Sequence, residues 1–197
     1  MPLRSFLGKR VVLGPGEYFV SEQRVMISTL LGSCVAACLW DEQSRVIGMN
    51  HFLLANSRYA KNGPLCHTEA GKYGIHSMEL LINGMMKIGA RRENLKAKAF
   101  GGASVMGNTS RRDGFLCVGE VNSRFIVEFL KTDGIPLVSA DLGGDVGRVI
   151  HFVSDDFSVY FRRMGKTGQE KIVQKEKGFW KRSTETEELT PEPEIWL

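Results

Sequence analysis

Apolar and polar positions follow two different periods along this chain, and the changes between them mark its elements. Val25 to Leu30 reads as a strand that runs into a tight loop at Leu31-Gly32-Ser33. Val35 to Trp40 and Val46 to Leu54 both suit a pleated surface, and the polar segment Asp41 to Arg45 between them gives a hairpin signature. From Gly74 to Ile88 the period changes: Ile75, Met78, Ile82 and Met85 recur at three- and four-residue steps, predicting an amphipathic helix closed by Gly89. Leu95 to Phe100 alternates Lys96 and Lys98 with Ala97 and Ala99, a strand pattern ending at the Gly101-Gly102 turn. Asn122 reads as the N-cap of a second helix carrying Phe125, Ile126, Phe129 and Leu130, with Gly134 closing it. Ile135 to Leu142, Arg148 to Val153 and Ser158 to Arg163 predict three further strands around the turn Gly143-Gly144-Asp145. The sum is a sheet-dominated α+β domain with two helices.

Composition sets the limits of that domain. With 43% hydrophobic and 24% charged residues in 197, the chain has material for one core and an appendage rather than for two full domains. The formal net charge of +4 is too small and too scattered for a nucleic-acid footprint. Residues 165–197 differ in kind, with basic residues early, acidic ones late, and Thr and Pro at the end; they read as a loosely ordered extension of a domain spanning 1–164. No apolar run reaches the length of a membrane span, and the N-terminus lacks the continuous apolar stretch of a signal peptide. A cytoplasmic protein is expected, with Cys34, Cys38, Cys66 and Cys117 as reduced thiols.

The informative stretch for chemistry is Ser28 to Cys34, followed by the first histidine at His51. A cysteine just past a Gly-Ser turn at a strand end is surrounded by backbone N–H groups uncommitted to a sheet ladder, a possible oxyanion site. If Asp41 to Ser44 forms a symmetric connection, residue i faces residue 85 − i, and Cys34 falls directly opposite His51. Only the thiolate attacks well, and a free thiol ionises near a pKa of about 8.5, so an adjacent imidazole that accepts the proton creates the nucleophile. A third polar group must orient that imidazole, and Ser28 or Thr29 could serve. The plain alternative is a buried structural cysteine, as the apolar run around Cys38 suggests. A zinc site built from Cys34, Cys38, Cys66 and His67 lacks the usual second close pair. The glycine turns at Gly101-Gly102 and Gly143-Gly144 miss the phosphate-binding spacings, and His76 and His151 read as structural.

The segments LGSCVAACLWD (31–41), GMNHFLL (48–54), KYGIHSMELLINGMMKIGA (72–90), LKAKAFGGASVM (95–106) and ADLGGDVGRVIHF (140–152) together resemble CheD, the chemoreceptor glutamine deamidase family of bacterial chemotaxis. The resemblance implies Cys34 as nucleophile and His51 as general base and acid. The family's third residue is a threonine six positions before the cysteine; here that position is Ser28, with Thr29 next to it. Val121 stands where the family carries an arginine. The implied fold is stacked mixed sheets flanked by helices, similar to the catalytic domain of the cytotoxic necrotizing factor toxins. The implied substrate is a set of glutamine side chains on chemoreceptor cytoplasmic helices, with no metal or organic cofactor. The CheC phosphatase is an implied second partner, and nothing in the pattern demands more than a monomer.

Overall fold

The computed structural model describes residues 6–54, 69–104 and 118–165. Two mixed sheets stack face to face. The first runs in the order β1 (Lys9–Leu13), β3 (Val25–Leu31), β8 (Arg148–Val153), β9 (Val159–Arg163). The second is β2 (Tyr18–Ser21), β5 (Val46–Asn50), β4 (Val35–Asp41), β6 (Leu95–Gly101), β7 (Leu137–Leu142). Among the described residues, only β1–β3 and β6–β7 pair in parallel. Helices α1 (Glu69–Lys87) and α2 (Val118–Thr132) cover the outer face of the second sheet. The described residues therefore form a mixed two-sheet α+β fold with two helices.

Burial follows from this layering. Between the sheets lie Val25, Ile27 and Leu31 of β3, Ile150 and Phe152 of β8, and Ala36, Cys38 and Trp40 of β4. Beneath the helices lie Val35, Ala37 and Leu39 of β4 with Met78, Ile82, Phe125 and Phe129. Because β4 is covered on both faces, all seven of its residues are buried, and its sequence runs apolar instead of alternating.

Three details depart from the pattern-based expectation. Strands β1 and β2 are additional; both are short sheet edges, largely exposed or half-buried, and so carry little alternation. Strand β5 stops at Asn50 rather than Leu54, with one further bridge from Val35 to Phe52. Helix α2 begins at Val118, so Asn122 lies inside it and is not its N-cap. Nearly all of the 165–197 extension, together with Cys66, His67 and Cys117, lies outside the described residues.

Candidate active site

Strand alternation selects the side chains that enter the inter-sheet layer. From the second sheet, Cys34, Ala36, Cys38 and Trp40 point into it, as do Ile47 and Met49 of β5, whose next residue of the same parity is His51. From the first sheet, Val25, Ile27 and Leu31 do so, with Thr29 between them in the same phase. Cys34, His51 and Thr29 thus gather at one end of the layer, where their exposures are 1%, 2% and 2%. Neither Cys34 nor Cys38 is in a disulfide.

The hairpin register differs from the expected one. Pairs such as Cys38 with Met49 and Asp41 with Val46 set the partner of residue i at 87 − i, not 85 − i. The cause is local. Asp41 belongs to the strand, and its carboxylate accepts from the N–H groups of Gln43 and Ser44. The connection is therefore 42–45, completed by Arg45 in a left-handed backbone conformation with φ 59°. Cys34 and His51 are consequently not directly opposite. A shift of two keeps the parity, so both still face the same side, in diagonal relation.

Around His51 the ladder opens. The N–H of Ala37 donates 3.0 Å to the Asn50 side-chain oxygen rather than to backbone. Asn50 in turn donates to the Ser77 hydroxyl on α1 at 3.2 Å. His51 pairs instead with the chain before β2, its N–H donating to the Glu17 carbonyl at 2.9 Å and its carbonyl accepting from Gly16 at 2.7 Å. The backbone that carries the imidazole is fixed on both sides.

Hydrogen-bond accounting assigns the tautomer. The Thr29 hydroxyl donates its single proton to the Leu13 carbonyl at 2.8 Å, and a carbonyl can only accept. The same oxygen lies 2.8 Å from His51 Nδ1, so Nδ1 must carry the proton and donate it. Nε2 then holds the lone pair, and that atom is buried without a hydrogen-bond partner. Burial pushes the His51 pKa down to about 4, partly opposed by the Leu13 carbonyl. The ring is neutral at pH 7, a proton acceptor facing the inter-sheet layer.

Ser28, carried into the site by sequence position, does not orient His51. Its hydroxyl lies 2.8 Å from His151 Nδ1, its register partner on β8, on the opposite face of the first sheet. Consecutive strand residues point to opposite faces, so only one of Ser28 and Thr29 can reach the layer, and it is Thr29.

The turn before Cys34 is tied at each carbonyl: Gly32 accepts from Ala103 at 2.7 Å, Ser33 from the Asn122 side chain at 2.8 Å, and Cys34 from Gly102 at 2.7 Å. Planar peptides held this way cannot rotate, so the direction of each following N–H is set in advance. Close approach explains the glycine pair. A Cβ on Gly101, whose φ is +117°, would lie 2.1 Å from the Cys34 carbonyl oxygen. Sequence reasoning took Gly101-Gly102 as a turn and missed this contact, and it missed Asn50 and Asn122 as anchors.

The other candidates sit elsewhere. His76 is exposed on α1. Burial drives the Cys38 thiol far above its ordinary pKa, leaving it inert. Arg92 joins Glu79 of α1 to Asp133 after α2 at 2.7 and 2.5 Å, away from the site. Among the described residues no three His, Cys, Asp or Glu side chains gather as a metal site. Among them also, no helix is long and apolar enough to cross a membrane.

Fold and site together define a two-sheet α+β protein that holds a thiol, an imidazole and a hydroxyl at one end of its inter-sheet layer. Residues 53–163 match the family model for CheD, chemotactic sensory transduction. The probable chemoreceptor glutamine deamidase CheD 1 of Geobacter sulfurreducens is 52% identical over 192 residues, 96% of each chain. The probable chemoreceptor glutamine deamidase CheD 2 of Shewanella oneidensis is 48% identical over 153 residues, 76% of this chain and 74% of its own. The probable chemoreceptor glutamine deamidase CheD of Agrobacterium fabrum is 49% identical over 145 residues, 73% of this chain and 74% of its own. The chain belongs to the CheD family. The crystal structure of the Bacillus licheniformis hypothetical protein YfiH aligns with a TM-score of 0.40 at 12% identity, covering 64% of this chain and 50% of that one.

Proposed function

We propose that this chain hydrolyses glutamine side-chain amides on chemoreceptor cytoplasmic helices to glutamate and ammonia, with Cys34 as nucleophile. The observation that carries the reading is the state of His51: Nδ1–H is committed to Thr29, and the buried Nε2 lone pair has no hydrogen-bond partner in the layer that also receives Cys34. The names of the relatives supply the substrate class.

The sequence of bonds is as follows. His51 Nε2 takes the Cys34 thiol proton, and the sulfur attacks the amide carbon while backbone N–H groups of the fixed turn hold the oxyanion. The C–N bond breaks as Nε2–H protonates the nitrogen, releasing ammonia and leaving a thioester on Cys34. Nε2 then takes a proton from water, the hydroxide attacks the thioester, and the C–S bond breaks to give glutamate. The Nε2 proton restores the thiol. Proton transfer of this kind is worth about 10² to 10⁴ in rate. Protein groups and water supply every step.

On the same reading the enzyme is cytoplasmic and monomeric, with a domain of residues 1–164 carrying the 165–197 extension and the CheC phosphatase as second partner. The likeness to the cytotoxic necrotizing factor catalytic domain belongs to this reading as well, supported by the two stacked mixed sheets with helices on one face. Burial of Cys34 at 1% requires the cover over the sulfur to open for a carboxamide, and it favours one rival: a non-catalytic adaptor in which Cys34 is a core residue.

Mass spectrometry of a receptor cytoplasmic fragment incubated with the protein separates the two. Deamidation predicts an amide-to-acid exchange at specific glutamines, lost with His51→Ala. A receptor fragment that binds the protein yet keeps every glutamine unchanged would establish the adaptor.

A further inference from the structure

Helix α2 brings one wholly buried amide to the site. Asn122 is 0% exposed, and its orientation is unambiguous: Nδ2 donates 2.8 Å to the Ser33 carbonyl, and Oδ1 accepts 2.8 Å from the Leu54 N–H. Ser33 immediately precedes Cys34, and Leu54 lies three residues after His51. One side chain therefore ties the nucleophile's turn to the chain leaving the base, from outside the hairpin that carries both.

The tie matters because the hairpin alone does not set this spacing. The continuous β4–β5 ladder covers only Cys38 to Asp41, Asn50 has replaced a backbone acceptor, and a single bridge, Val35 with Phe52, remains toward the site. Cys34 lies beyond that bridge. Asn122 itself is held firmly. A Cβ on Gly119 would stand 2.4 Å from the Gly102 carbonyl oxygen, so the first turn of α2 is seated against the glycine pair; Phe125, Ile126 and Phe129 fix the rest in the core. The bond to Ser33 also aims the peptide unit that enters Cys34, since the N–H of Cys34 points opposite to the Ser33 carbonyl across a planar trans bond.

We infer that Asn122 is a positioning residue for the deamidation: it sets the separation of Cys34 from His51 and the direction of the Cys34 peptide plane, without touching substrate. The inference rests on the Cys34–His51 reading above. An ionised carboxylate accepts but cannot donate, so in its charged form Asn122→Asp keeps the Leu54 contact and loses the Ser33 contact. Misplacement of a reacting group by about 1 Å costs on the order of 10²-fold in rate.

The test uses full-length protein, the receptor fragment and peptide-resolved iodoacetamide labelling. Asn122→Asp should lower kcat about 10²-fold with KM nearly unchanged and alter the pH dependence of Cys34 labelling, while Cys38 stays protected as in the wild type. Cys38 is the internal control, because a merely structural role would expose it as well. If the aspartate variant does not fold, Asn122→Ser, which buries no charge, decides by the same measurements. Wild-type kcat and an unchanged Cys34 profile in a folded variant would overturn the inference. Cys34→Ala runs alongside: activity retained there refutes the catalytic reading itself, whereas inactive Cys34→Ala beside fully active Asn122→Asp refutes only the role of Asn122.

Discussion

Replacing Thr29 by valine removes one oxygen and little volume, which isolates the hydroxyl that bridges Leu13 and His51. In the variant the Leu13 carbonyl loses its donor, and His51 Nδ1 loses its acceptor inside a layer where both residues are buried. Each orphaned group costs roughly 1–3 kcal/mol, and the extra buried methyl returns about 0.8 kcal/mol, for a net loss of about 1–5 kcal/mol. Catalysis should suffer separately. Without the hydroxyl the ring no longer favours Nδ1–H, and the tautomer with its proton on Nε2 cannot accept the thiol proton, a loss of about 10² to 10⁴ in kcat. Thr29→Ser keeps the oxygen and should recover most activity. Ser28→Ala disturbs only the half-buried bond to His151 on the other face, so about 1 kcal/mol of stability should go with kcat unchanged. Urea denaturation and initial rates of ammonia release measure the two effects independently. Equal rates for Thr29→Val and wild type, or equal losses for Ser28→Ala and Thr29→Val, would refute the tautomer argument.

Two further outcomes follow from the same geometry. The folded His51 value of about 4 lies below the ordinary 6.5, so between those pH values the unfolded chain binds a proton that the native state refuses. Stability should fall as pH drops through that window, by about 3 kcal/mol in full, and His51→Gln should flatten this part of a plot of urea midpoint against pH; an identical plot would sink the claim of a buried neutral ring. His151 is also depressed by burial, but it is present in both proteins and drops out of the comparison. Gly101→Ala should destabilise the protein by more than about 1 kcal/mol and cut kcat, because its Cβ meets the Cys34 carbonyl oxygen. Gly89→Ala has a comparable φ of +104° but open space around it, so melting temperature should fall without loss of kcat; similar kcat losses in both would show that the Cys34 contact is immaterial.

Strong periods made much of the fold legible. Strand β8 runs over the expected Arg148–Val153, and α1 contains the expected apolar stripe Ile75, Met78, Ile82, Met85. The edge strands β1 and β2 were not, since exposed edges need no apolar alternation. At the site, placing the four-residue connection one position too early moved the register by two, and parity saved the Cys34–His51 association. The choice between Ser28 and Thr29 could not be made from Val25 to Leu31, because apolar residues occupy both faces of that strand and hide its phase. Asn122 was misread for a related reason: an Asn near a helix start resembles a cap, and its distant partners, Ser33 and Leu54, leave no local trace.

The central claim is that bond exchange passes through sulfur at Cys34. Acid-quenched mixtures of protein and receptor fragment, digested and searched for joined peptides, address it directly. A glutamine-bearing peptide linked to the Cys34 peptide, with one ammonia lost, is expected in the first turnovers of the wild type and absent from Cys34→Ala, which should release no ammonia. Ammonia released by Cys34→Ala at the wild-type rate would contradict the account.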